Sequence, residues 1–203
     1  VGKLFTIGIT GGIGSGKTTV SEIFHEFGYE IIYADKIGHE CLEKKKVIDL
    51  LVKDFGSEIL DEGHINRKSL GKIVFSDSLK IIRLNEIMIP EMLEEIKKRI
   101  EYFSLKGEKI LFVEAAILYE MKLDKLLDRV IYVNANEEIR LNRIKKRDNR
   151  SSEEIKKIMD KQIRDMKGRK TDYVMENNGS IDELQEACSR ILKDLSRQIS
   201  VKP

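Results

Sequence analysis

Eight residues near the start of the chain, Gly11-Gly12-Ile13-Gly14-Ser15-Gly16-Lys17-Thr18, have the types and spacing to hold a phosphate group. They fit the pattern G-x-x-x-x-G-K-[ST]. The glycines let the backbone wrap closely around an anion without Cβ clashes. Successive N–H groups then turn inward as a nest. A helix opening near Lys17 adds the positive end of its dipole. Lys17 is expected to reach the β- and γ-phosphates of a nucleoside triphosphate, and the Thr18 hydroxyl to be a ligand for Mg2+. The stretch Gly12–Thr19 is therefore the candidate ATP-binding loop.

Two acids stand where they can serve that chemistry. Asp35 lies just past an apolar strand, Glu30–Tyr33, and a carboxylate there can take a proton from an attacking hydroxyl. The competing reading is an N-cap for the helix that follows. Glu114 ends the apolar strand Leu111-Phe112-Val113-Glu114. An acid in that place suits Mg2+, held directly or through water; the alternative is a solvent-facing strand end. A basic run follows later: Arg140, Arg143, Lys145, Lys146, Arg147 and Arg150. Arg143 and Arg147 are four apart and share a helical face, so they suit a lid whose arginines meet transition-state charge. Lys145 and Lys146 read as a solvated face.

These residues need a scaffold that brings strand ends together. Leu4–Ile9 reads as a buried strand, and Val20, Ile23, Phe24 and Phe27 as one face of a helix. With Glu30–Tyr33 they make a βαβ unit, whose crossover is expected to be right-handed and its strands parallel. In such a sheet ligands collect at the carboxyl ends of the strands, so the loop and Asp35 are expected on one edge. The middle of the chain is helical over 37–54 and 78–105, with Pro90 marking a break or a new first turn. A turn-rich stretch, Gly63–Arg67, separates them. Strands resume at Ile110–Val113, Arg129–Val133 and Tyr173–Met175. Helices are expected over 136–148, from Ser151-Ser152-Glu153-Glu154 onward, and from Ile181 to Leu195, with a frayed tail after Ser196. The result is an α/β fold of three layers on a five-stranded parallel sheet. It forms a single domain with its core at about 1–36, 106–140 and 170–198, a helical insertion at about 37–105 and a lid at about 141–169.

Composition narrows the classes of function. The chain has 203 residues, 35% of them charged, and a net charge of +2. That is too balanced for a dedicated DNA-binding protein, and the basic run lacks the aromatic interleaving of an RNA surface. No stretch approaches the roughly 18 apolar residues of a membrane span, and the opening apolar run is short for a signal peptide. A soluble cytoplasmic protein, a monomer or weak homo-oligomer without nucleic-acid or membrane partners, is expected. Cys41 and Cys188 show no metal or disulfide spacing and read as buried thiols. His25, His39 and His64 read as surface or boundary residues rather than metal ligands. There is no N-K-x-D segment of the kind that reads a guanine base, so a small-molecule kinase is favoured over a GTPase. A nucleoside or nucleotide kinase and a non-catalytic ATP-binding module remain open.

In order along the chain, these residues resemble the dephospho-CoA kinase family. The resemblance runs from Thr10–Thr18 through Tyr33-Ala34-Asp35-Lys36-Ile37, Phe55-Gly56, Gly63–Arg67, Leu70, Val74-Phe75 and Leu84-Asn85. It continues through Glu114–Glu120, Arg143, Arg147-Asp148, Gln162, Asp172-Tyr173-Val174 and Asn177-Asn178-Gly179. It implies transfer of the γ-phosphate of ATP, with Mg2+, to the ribose 3′-hydroxyl of dephospho-CoA, the last step of coenzyme A synthesis. It implies Asp35 as catalytic base, Lys17, Arg143 and Arg147 on the transferring group, and Asn177 and Asn178 near the adenine. Arg67 becomes a candidate acceptor contact within the insertion, and Glu114 is assigned to the metal and to the acceptor alike. The chain departs from the family pattern at Ile89, where histidine is usual, at Glu114 for aspartate, at Ala116 for proline, and at Arg140 for glutamine.

Overall fold

The computed structural model describes residues 3–147, 153, 155, 156, 159, 169 and 171–200. Contacts divide the chain into two compact units, one of residues 1–32 with 103–203 and one of residues 33–102.

The first unit is built on a parallel sheet. Its central strand β1 (Phe5–Gly11) is buried along its whole length. The sheet has five strands in the order β2-β5-β1-β6-β7, where β2 is Glu30–Tyr33, β5 is Ile110–Glu114, β6 is Arg129–Asn134 and β7 is Tyr173–Glu176. β1 runs parallel to β5, with Ile9 opposite Glu114, and to β6, with Gly11 opposite Val133. β6 runs parallel to β7, with Asn134 opposite Glu176. This register sets the carboxyl ends of β1, β5, β6 and β7 along one edge.

Alternation along β1 decides which residues face which layer. Phe5, Ile7 and Ile9 join Phe112, Ile131 and Val133 under helices α1 (Lys17–Glu26) and α7 (Ile181–Ser200). The helices contribute Val20, Ile23 and Phe24, and Leu184, Cys188 and Leu195. Phe24 stacks on Phe112 with ring centroids 4.1 Å apart. Each such side chain, fully buried, is worth roughly 1.5–3 kcal/mol. Helix α6 (Glu137–Arg147) follows β6. The fold class expected from the sequence is the one found, and both cysteines are buried free thiols. α7 continues to Ser200, past the expected fraying point at Ser196, because its apolar face extends to the fully buried Leu195.

The second unit is mainly helical: α2 (Ala34–Cys41), α3 (Lys45–Phe55), α4 (Arg67–Val74) and α5 (Ser78–Leu105). A small antiparallel pair, β3 (Leu60–Asp61) and β4 (His64–Ile65), stands between α3 and α4. The segment expected as one helical stretch, 37–54, is two helices. Glu43 N and Lys44 N close α2 on carbonyls three residues back, and Lys44 is extended, so the helical path restarts at Lys45. Pro90 does not break α5, which runs 28 residues through it. A proline inside a helix costs about 3 kcal/mol; buried Ile87 and Met88 before it and Met92 and Ile96 after it hold both halves in place. Asn66 caps α4, its side-chain oxygen accepting from Lys68 N and Ser69 N. The three histidines are exposed.

Candidate active site

Residues 12–16 link β1 to α1 at the carboxyl edge of the sheet. A loop whose N–H groups converge on an anion sends its carbonyls the other way, and each buried carbonyl needs a donor. Here side chains supply them. Lys17 Nζ donates to Gly11 O at 3.0 Å and to Gly12 O at 3.4 Å. Arg140 Nε donates to Ile13 O at 2.8 Å. Ser15 O accepts from Asn177 Nδ2 at 2.8 Å and from Arg143 Nη1 at 3.3 Å. Gly16 precedes α1 at φ 93°, and a Cβ there would lie 2.2 Å from Asn177 Nδ2, so glycine is required on both counts. The Ile13 side chain packs with Leu141 against Ile144, Ile155 and Met159.

Helix α6 thus grips the loop from outside. Arg140, Arg143 and Ile144 lie on one face of it, as their i, i+3, i+4 spacing requires. Arg143 Nη2 also donates to Asn177 Oδ1 at 3.2 Å, so arginine and asparagine hold Ser15 as a pair. Asn177 is 5% exposed, and its own N–H donates to Asn134 O. Asn178 Oδ1 accepts from Asn136 N at 2.7 Å, which fixes the start of α6. The loop after β7 also borders an open groove of about 600 Å3 lined by Asn177, Asn178, Ser180, Glu183 and Arg190 among others.

The acid and hydroxyl expected at the metal meet. Thr18 Oγ1, in the first turn of α1, donates to Glu114 Oε1 at the end of β5, 3.0 Å away. Glu114 is 7% exposed, so it is not a solvent-facing strand end. A hydroxyl and a carboxylate are the hard oxygen donors that Mg2+ takes, commonly one or two from protein with phosphate oxygens and water completing the shell. The residues present therefore fit both a bound phosphate chain and its Mg2+.

The structure brings together Gly12–Thr19, Glu114, Arg143 and Asn177 in the first unit. Arg147, the last residue of α6, is exposed. Two other expected site residues belong to the second unit. Asp35 is exposed in the first turn of α2; the N-cap of that helix is Tyr33 and no side chain caps it, so the capping reading of Asp35 does not hold. Arg67 is exposed at the start of α4, its Nη1 2.7 Å from His39 Nε2. The remaining expectations, for Asp148, Arg150, Ser151, Ser152, Glu154 and Gln162, lie outside the described residues. Along the sequence Arg140 stands only in a basic run and as a departure from the family pattern, with no role at the loop. Its position three residues before Arg143 was the available signal.

A phosphate loop at the carboxyl edge of a five-stranded parallel sheet, gripped by arginines and backed by a hydroxyl–carboxylate pair, defines the class of P-loop kinases. A shikimate kinase from Acinetobacter baumannii shares the fold, with a TM-score of 0.51 at 18% identity over 98% of this chain and 97% of that one. Within the class, the family model for dephospho-CoA kinase matches residues 5–183. A dephospho-CoA kinase from Fusobacterium nucleatum is 36% identical over 195 residues, 95% of this chain and 100% of that protein. The solved dephospho-CoA kinase from Campylobacter jejuni superimposes with a TM-score of 0.71 at 27% identity, over 95% of this chain and 98% of that one. The chain belongs to the dephospho-CoA kinase family, phosphotransferases with an alcohol group as acceptor. Among the described residues no helix is long and apolar enough to cross a membrane.

Proposed function

We propose that this chain transfers the γ-phosphoryl group of ATP to the ribose 3′-hydroxyl of dephospho-CoA, giving CoA and ADP. The observation that carries the reading is the loop itself, with Lys17, Arg143 and the Thr18–Glu114 pair gathered around it in a chain of this family. The acceptor oxygen bonds to the γ-phosphorus as the bond to the β–γ bridging oxygen breaks. The hydroxyl proton goes to the Asp35 carboxylate, and the electron pair leaves with ADP. Lys17 and the loop N–H groups hold the phosphate chain, while Arg143 and Arg147 offset charge on the transferring group. Thr18 and Glu114 would hold Mg2+, which would supply neutralising charge to the phosphates. Catalysis comes mostly from positioning and charge stabilisation.

The helical insertion at about 37–105 is assigned to the acceptor, with Arg67 as a contact and Glu114 as a further acceptor-binding residue; the lid is assigned to about 141–169, most of which lies outside the described residues. Asn177 and Asn178 belong to the nucleotide site, Asn177 as the tether of Ser15. A soluble cytoplasmic enzyme, working as a monomer or weak homo-oligomer without nucleic-acid or membrane partners, fits this reaction. ADP release from Mg-ATP, measured with dephospho-CoA beside nucleosides, nucleoside monophosphates and shikimate, tests the proposal. Turnover is expected with dephospho-CoA alone, and CoA is the product. Turnover with a different acceptor only, or ATP binding with no transfer at all, would overturn it.

A further inference from the structure

Arg140 carries more positive charge into the protein than the described residues around it balance. It is 5% exposed on α6, one turn before Arg143. Its Nε–H is spent on the Ile13 carbonyl, but Nη2 is buried and has no hydrogen-bond partner among the described residues. No described carboxylate stands within ion-pair distance of it. Burial pushes the guanidinium below its ordinary value, and Tyr132 and Glu137 oppose that only in part. The guanidinium lies against the loop backbone: a Cβ on Gly12 would come 2.5 Å from Nη2 and 2.8 Å from Cζ. A side chain at position 12 would have to displace that guanidinium, while the backbone there is not left-handed.

An arginine so placed is costly to the protein alone, because a buried charge needs a counter-charge. The segment it braces is an anion cradle. We propose that Arg140 is a positioning residue of the phosphate loop, fixing Ile13 through Nε–H and supplying a buried positive charge whose counter-charge is the phosphate chain of the bound nucleotide. This rests on the reading of the loop as the triphosphate site.

The two halves of the role predict effects of opposite sign. Arg140→Gln keeps a donor but removes the charge, so the protein without nucleotide melts at the same temperature or higher. Its affinity for ATP and for pyrophosphate nevertheless falls, roughly tenfold, and the salt dependence of that affinity becomes shallower. KM for ATP rises while KM for dephospho-CoA stays put, and Arg140→Lys recovers part of the ATP affinity. A purely structural arginine would instead lower the melting temperature and leave nucleotide affinity per folded molecule unchanged; that pattern overturns the proposal. Gly12→Ala supplies a second route that does not depend on how well Arg140→Gln folds. In the parent it displaces the guanidinium as well as crowding the loop, so it weakens ATP binding more there than in the Arg140→Gln background. Equal losses in the two backgrounds reject the coupling. If the unaltered protein binds neither ATP nor pyrophosphate, the triphosphate site itself is wrong and this proposal falls with it. Binding that is normal in the parent and identical in Arg140→Gln rejects the role of Arg140 alone.

Discussion

Thr18 and Glu114, 96 residues apart in the chain, are joined by a hydrogen bond of 3.0 Å from hydroxyl to carboxylate. The bond links the first turn of α1 to the last residue of β5. Parallel pairing of Ile9 with Glu114 makes it possible, since it brings the end of β5 level with the approach to the loop. A hydroxyl whose proton is engaged by a carboxylate presents its lone pairs elsewhere, which is what a metal ligand needs. Thr18→Ala and Glu114→Gln are each expected to raise the Mg2+ concentration for half-maximal activity by roughly tenfold. The double variant should be little worse than either, because the two groups act as one unit. Activity titrated against Mg2+ at saturating ATP checks this; independent, multiplying losses would show that the pair does not share a metal.

Asp35 is a direct test of proton transfer, since its one evident structural part is as an acid in the first turn of α2. It is exposed and caps no helix. Asp35→Asn should leave the melting temperature and ATP affinity unchanged while kcat falls on the order of 10²–10⁴-fold, the usual worth of a general base. Near-normal turnover in a folded Asp35→Asn protein removes the assignment.

Arg143 has a double duty that separates it from the lysines of the same run. It touches Ser15 O and Asn177 Oδ1 at once, one from each Nη of its planar fork. Arg143→Lys keeps the charge and loses the fork. It is expected to lose most of what Arg143→Ala loses in kcat/KM for ATP, whereas Lys146→Ala is nearly silent. Steady-state kinetics on the three variants decide it, and full activity in Arg143→Lys would show that charge alone is required.

The sheet was legible because its strands read as short apolar runs, wholly buried in β1 and β5 and partly exposed in the edge strands β2 and β7. The loop was legible because its glycines and Lys17 sit within eight residues. What the sequence hid is the set of contacts made by groups distant along the chain. Arg140 meets Ile13 across 127 positions, and Asn177 meets Ser15 across 162, with nothing local to announce either. Pro90 misled for the opposite reason: a strong local signal was outweighed by burial of side chains on both sides of it. The split at Lys44 falls in the charged run Glu43-Lys44-Lys45-Lys46, where the apolar pattern lapses but no glycine or proline marks a break.

Cys188, on the core-facing side of α7, lies at 0% exposure, and burial pushes its thiol up to about 12. Burial also raises Cys41, which is likewise fully enclosed. Since the thiolate is the reacting species, neither should react with a thiol reagent at pH 8 in the folded protein, and two thiols should appear in denaturant. Labelling in the native state, followed over time, ought to track global opening. A fast native phase of one thiol per chain would mean that part of the core opens on its own.

Asp128 ties the start of β1 to the start of β6 and makes stability depend on pH. Its Oδ2 accepts from Thr6 N at 2.9 Å and from Thr6 Oγ1 at 3.0 Å, and Oδ1 accepts from Lys3 Nζ at 2.8 Å. Burial alone would raise this carboxyl, but the bonds from Lys3 and Thr6 outweigh it and hold the group below its ordinary value. A depressed carboxyl contributes stability that is fully present above its unfolded pKa, near 4, and is lost as pH falls through the folded value. Asp128→Asn should therefore cost about 1–2 kcal/mol at pH 7, and the gap to the parent should narrow steadily below about pH 4. Lys3 is 77% exposed, so its share is small and screened by salt, while the Thr6 share is not. Urea unfolding of both proteins at pH 7, 5 and 3.5, with and without added salt, measures the gap. A difference that stays constant over that range would mean the ionised carboxylate contributes nothing beyond its shape.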